Sequence, residues 1–131
     1  MKKDNYRDYV VEAMRYYAAC DRPDAGALKK LRDALPSEST ACCRDLEAVE
    51  RMLYRLENEE YGRPGVRCVE IVYFTSPSKT LSRGEIAKRV CRASNELCMC
   101  ESSVYKALRR ARTLVALERG LRVDERSLIL H

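Results

Sequence analysis

A chain of 131 residues that is 46% hydrophobic and 34% charged, with five Gly, four Pro and no Trp, holds one modest domain of helix-favouring composition; two large cores and disorder throughout are excluded. No run approaches the ~18 apolar residues of a membrane span, and Met1-Lys2-Lys3-Asp4 does not open a signal peptide, so the expected fold is all-α and the expected compartment the cytoplasm, with no membrane partner. The formal net charge of +5 is unevenly held: residues 1–64 carry 12 Lys and Arg against 13 Asp and Glu, residues 79–122 carry 11 against 4, an excess that suits a phosphate-bearing partner or a solvated basic face.

Tyr6, Tyr9, Val10, Ala13, Met14 and Tyr17 fall at three- and four-residue spacings, which predicts a first helix over residues 5–19 with Tyr16 outside its stripe. Pro23 follows its end. A short helix over residues 24–35 presents Leu28, Leu31 and Leu35, and Pro36 closes it. Residues 37–60 form the longest uninterrupted pattern. Leu46, Val49, Leu53 and Leu56 make its stripe, Met52 widens it, and charged residues such as Glu47 and Arg51 occupy the other faces. Tyr61-Gly62-Arg63-Pro64-Gly65 is the clearest breaker. It separates an N-terminal helical region, residues 1–61, that packs together or binds a partner, from a C-terminal module, residues 65–121, and a tail over 122–131.

Val66, Val69, Ile71, Val72, Tyr73 and Phe74 have strand-forming side chains, but their spacing favours a helix that exits through Thr75-Ser76-Pro77-Ser78. Ser82 and Glu85 have the spacing of a capping box, so a helix begins at Ser82. Ile86, Ala87 and Val90 form its inward side, with the small Ala87 where a second helix could cross. Arg83, Lys88, Arg89 and Arg92 are left for solvent or phosphate. The next helix runs over residues 101–117 with Val104, Leu108, Ala111 and Val115 inward and Ala107 and Leu114 beside them. Its polar face carries Ser102, Ser103, Tyr105, Lys106, Arg109, Arg110 and Arg112. Two such helices in succession are the outline of a helix-turn-helix that binds double-stranded DNA. The first turns of the second helix would then reach base edges through Glu101, Ser102 and Lys106, while Tyr105, Arg109 and Arg110 contact phosphates.

Leu81-Ser82-Arg83-Gly84-Glu85-Ile86-Ala87, followed by Ser102-Ser103-Val104-Tyr105-Lys106-Ala107-Leu108-Arg109-Arg110-Ala111, resembles the helix-turn-helix of sigma-70 region 4. The likeness is strongest to region 4-like regulators of phages and prophages in Gram-positive bacteria, the ArpU and RinA-type late-gene activators. It covers about residues 66–121, including the apolar run before the motif. The resemblance implies base contacts at Glu101, Ser102 and Lys106, a backbone contact at Tyr105, and RNA polymerase as a partner. One departure stands out: Val90 and Val104 lie about twice as far apart as the corresponding buried residues of such motifs. Residues 91–100 must therefore lengthen the first helix, form an excursion, or alter the angle of the second.

Seven Cys without a secretion signal are expected as reduced thiols, mainly small buried apolar groups. Cys98-x-Cys100 with Cys91 suggests zinc, but the fourth ligand would have to be Cys68 or the terminal His131, so no metal is expected. No Gly-rich phosphate loop and no Ser/His/Asp arrangement can be assembled, and neither enzymatic activity nor a cofactor is expected. The function expected is transcription regulation by DNA binding, a palindromic target implying a homodimer. The alternative is an adaptor that keeps the fold and binds a protein such as RNA polymerase instead of DNA.

Overall fold

The computed structural model describes residues 6–19, 37–76 and 81–121, and within them the chain is all-α, with no strand. The helix expected over 24–35 and the tail over 122–131 lie outside the described residues. Helix α1 is Arg7–Ala19, α2 is Ser37–Glu57, α3 is Gly62–Val69, α4 is Arg83–Leu97 and α5 is Glu101–Glu118, and a π-helical segment, Glu70–Phe74, continues α3 directly.

The apolar stripes do what their spacing requires. Tyr6, Val10, Ala13, Met14 and Tyr17 of the first stripe are buried, whereas Tyr9 is exposed and donates its hydroxyl to Asp45 at 2.6 Å. In α2 Leu46, Val49, Met52 and Leu56 are buried and Leu53 is half-buried. Val66 to Phe74 is helical, as its spacing predicts, although its last five residues adopt the wider π geometry.

The Tyr61-Gly62-Arg63-Pro64-Gly65 breaker closes the turn over residues 58–61 and supplies the first residues of α3. Gly62 takes φ +59°, a left-handed conformation open to glycine at little cost. Pro64 then sits in the first turn of α3, where its missing N–H costs no helical hydrogen bond. Gly65 is buried, and a Cβ there would lie 2.6 Å from the Cβ of Tyr61 and 3.4 Å from Cγ of Leu56. The turn therefore folds α3 tightly against the end of α2. One hydrophobic core runs from Tyr6 to Ala116 through every described element, so the described residues before and after that turn share it.

Helix α5 is the centre of this core. It packs against α2, α3, α4 and α1, and Val104, Ala107, Leu108, Ala111 and Leu114 are buried as expected. Val115 is buried as expected, and Thr113 and Ala116 are buried too, so the second half of the helix has almost no solvent face. The long interval from Val90 to Val104 resolves as a longer first helix: α4 continues two turns past Val90 to Leu97. Cys98 then ends it in the left-handed conformation at φ 55°, and its N–H bonds to the carbonyl of Ser94. Met99 and Cys100 complete a three-residue turn into α5.

Because α5 touches both halves of the chain, Leu108→Asp should abolish a single cooperative transition, at a cost of several kcal/mol for an unpaired buried charge. Circular dichroism and tyrosine fluorescence melts that separate into two transitions would show independent modules instead. Gly65→Ala should lower stability by about 1–3 kcal/mol through overpacking against Tyr61, measured by denaturant unfolding.

Candidate nucleic-acid interface

Helix α5 begins at Glu101 with Cys100 as its cap residue, and the amides of Ser103 and Val104 bond back to the carbonyl of Cys100 at 3.0 and 3.1 Å. Glu101, Ser102, Tyr105, Lys106 and Arg109 are exposed together on its first turns, and Ser103 is half-buried. Ser102, Lys106, Arg109 and Thr113 share one helical face. Thr113, however, is enclosed, and its hydroxyl lies 3.3 Å from that of Tyr6, the residue just before α1. The open strip thus runs from Glu101 to Arg109, about 12 Å at the helical rise, before α1 covers it.

The arginines sort by the same boundary. Among the described residues no acid pairs with Lys106 or Arg109, nor with Arg83 and Lys88, which are exposed on α4. Arg110 departs from its expected role as a phosphate contact. Its guanidinium grips Glu59 with both arms, Nε at 2.8 Å and Nη2 at 2.9 Å, and its side chain is only 13% exposed. Arg112 donates to the hydroxyl of Tyr73 at 2.9 Å, and Arg119 pairs with Asp45. Part of the C-terminal positive excess is therefore neutralised by acids of the N-terminal half.

Two expectations for α4 are corrected. Ala87 is exposed, so no helix among the described residues crosses over it; with α4 two turns longer, α5 starts farther along and leaves that position open. Arg89, expected at solvent or phosphate, is 5% exposed. Its Nη1 donates to the carbonyl of Val72 at 2.8 Å and its Nε to Glu85 at 3.1 Å. Helix α4 turns Ile86, Arg89, Val90 and Ala93 inward. The cap holds at its first half, with the N–H of Glu85 donating to Oγ of Ser82 at 3.2 Å.

The thiols divide as well. Cys43 and Cys68 are buried, but Cys91, Cys98 and Cys100 are exposed rather than core groups, and none of the five is in a disulfide. Among the described residues no three His, Cys, Asp or Glu side chains converge as metal ligands. The Sγ of Cys100 lies 3.2 Å from the hydroxyl of Ser102 and 3.0 Å from that of Ser103. Donation from these hydroxyls lowers its pKa to about 7, whereas burial pushes that of Cys68 up to about 11.

Elsewhere on the surface, Tyr54 is 70% exposed beside an open groove of about 520 Å³ to which Tyr17, Leu53 and Val66 contribute apolar surface. Sequence periodicity gave no sign of this groove, because Tyr17 and Val66 come from different elements. No helix among the described residues is long and apolar enough to cross a membrane. Compared with protein-family models, with curated proteins and with solved structures, the chain has no match.

Cys100 should be the fastest thiol to alkylate, with a rate that rises through pH 7 as the thiolate forms, while Cys68 stays unmodified until the protein unfolds. Peptide mapping after brief iodoacetamide treatment across pH 6–9 measures both. Ser102→Ala should shift the Cys100 profile to higher pH.

Proposed function

We propose that this protein binds double-stranded DNA through the first turns of α5 and regulates transcription. The observation that carries the reading is the exposed strip Ser102, Tyr105, Lys106 and Arg109 at the amino end of a helix whose remaining length is held in the core. A helix N-terminus presents the positive end of its dipole to an anionic partner. Only an end that projects free can enter a major groove. The preceding α4 and a three-residue turn supply the connectivity of a helix-turn-helix. The resemblance to sigma-70 region 4-like phage and prophage regulators points the same way and brings RNA polymerase in as a partner.

The chemistry then divides by depth along the strip. Glu101, Ser102 and Lys106 supply an acceptor, a hydroxyl and a cation to base edges. Tyr105 and Arg109 lie where a phosphate contact fits, and Arg83 and Lys88 supply cations from α4. Arg110 belongs to the scaffold in this reading, since it is committed to Glu59. A protein-binding adaptor is the second reading, and the groove beside Tyr54 is the observation that favours it. Exposed aromatic surface next to an apolar hollow is a common protein-interaction feature. A second copy of this chain or RNA polymerase would be the partner there.

Fluorescence anisotropy with duplex DNA at several salt concentrations separates the readings. DNA binding predicts measurable affinity at low salt that falls steeply as salt rises. Arg109→Ala should weaken all duplexes alike and reduce the salt slope by about one unit. Lys106→Ala should alter preference at one or two base pairs, each by roughly 1–3 kcal/mol. Arg110→Ala should instead lower stability by about 1–3 kcal/mol by removing the two-armed contact to Glu59. If the parent protein binds no duplex at low salt, the adaptor reading replaces this one.

A further inference from the structure

Where the π-helical segment ends, the chain turns extended at Thr75 and left-handed at Ser76, whose φ is +46°. Between this exit and the flank of α4 lies a notch of about 180 Å³ lined by Thr75, Ser76, Glu85, Lys88, Arg89 and Arg92. Its floor is fixed. The buried guanidinium of Arg89 ties the carbonyl of Val72 to α4, and Glu85 neutralises it at 3.1 Å. Thr75 is fixed as well, its hydroxyl donating to the carbonyl of Glu70 at 3.2 Å.

The rim is cationic. Lys88 and Arg92 stand one helical turn apart on the same face, a like-charged arrangement that is unfavourable by a few tenths of a kcal/mol unless an anion lies near both. Glu85 is engaged by Arg89. The acid nearest Arg92 is Glu96 at 3.7 Å, and Glu96 is shared with Arg67 at 3.1 Å. An exposed pair at that distance holds weakly, and Lys88 has no acid partner among the described residues. The volume corresponds to about six waters, enough for a tetrahedral oxyanion with bridging water and below the ~300 Å³ of small-molecule pockets.

We infer that this notch seats one phosphate group of a nucleic-acid backbone, held between Lys88 and Arg92 over the Arg89 floor. The backbone as source rests on the DNA-binding reading above; the affinity of the notch for a phosphate group does not. The seat lies on α4, so it adds a non-specific anchor to the strip on α5 and fixes the register of the protein on the duplex without reading sequence.

Two titrations of the full chain test this, with the parent protein, Lys88→Gln, and the double variant Lys88→Gln/Arg92→Gln. Both side chains are exposed, so the variants should keep the parent melting temperature. In the first, inorganic phosphate is added at low ionic strength while backbone amide resonances are followed. Saturable shifts at Ser76, Lys88, Arg89 and Arg92 in the parent, lost in the double variant, are expected; drift without saturation overturns the seat. In the second, duplex binding is measured against salt. The double variant should lose affinity for every sequence and reduce the salt slope by about one unit. Saturable phosphate binding with unchanged duplex binding would assign the notch to a free anion and overturn the backbone contact. An unchanged double variant beside a weakened Lys106→Ala would remove the notch from the interface and leave the DNA-binding reading standing. A parent that saturates with phosphate yet binds no duplex would overturn both the backbone contact and that reading.

Discussion

Four consecutive residues of α5, Thr113 to Ala116, are buried, and a helix buried all round must be enclosed by neighbours on every side. That constraint organises the molecule. Ala107, Ala111 and Ala116 keep the helix slender where others approach, while Val104, Leu108, Leu114 and Val115 fill the space between them. Thr113, a polar residue in the enclosed stretch, is matched by the hydroxyl of Tyr6, which leads into α1. Helix α1 can take that place only by lying over the face that also carries Ser102, Lys106 and Arg109. The same packing that buries the end of α5 therefore sets how much of its beginning remains free.

Ion pairs follow from this enclosure. Helices α2 and α5 run antiparallel, with Asp45 beside Arg119 and Glu59 gripped by Arg110. Arg51 and Arg55 reach Glu118 at 3.5 and 3.7 Å. The two-armed Arg110 contact is the best formed of these, since a planar guanidinium matches a carboxylate geometrically and both side chains are largely shielded. Such pairs fix register more than they add stability. Among the cations they leave for a partner are those at the start of α5 and on α4.

Much of this was legible in the sequence, and the unread part has a common cause. Helical stripes are local, so the inward residues of α1, α2 and α5 follow from three- and four-residue spacing. The Ser82 cap is equally local. Arg89 and Arg110 were misread because their partners, Val72 and Glu59, lie 17 and 51 residues away, and no periodicity marks a charged side chain that folds inward. The end of α4 was hidden for a different reason. Left-handed caps are usually Gly or Asn, but Cys98 fills the position, so the two extra turns carried no stop signal. The Tyr61–Gly65 breaker coincides with the start of α3, yet composition alone does not distinguish a turn within one core from a seam between two. Within the candidate site, exposure of Ser102, Tyr105, Lys106 and Arg109 followed from the stripe, whereas the point at which α1 ends that exposure required tertiary structure.

Arg89 links this scaffold to the cationic notch beside α4. A π-helical segment loosens the regular ladder, and the carbonyl of Val72 near its end finds its donor in the Arg89 guanidinium. A guanidinium can serve that carbonyl and Glu85 at the same time because its donors point in fixed, separate directions; a lysine ammonium has no such fork. The contact holds the end of the π-segment against α4, and so places Thr75 and Ser76 beside Lys88 and Arg92. Burying one arginine in this way removes a cation from the surface but orders the ground on which two others stand. An inward charge that looks like a loss for the proposed nucleic-acid contact thereby becomes its support.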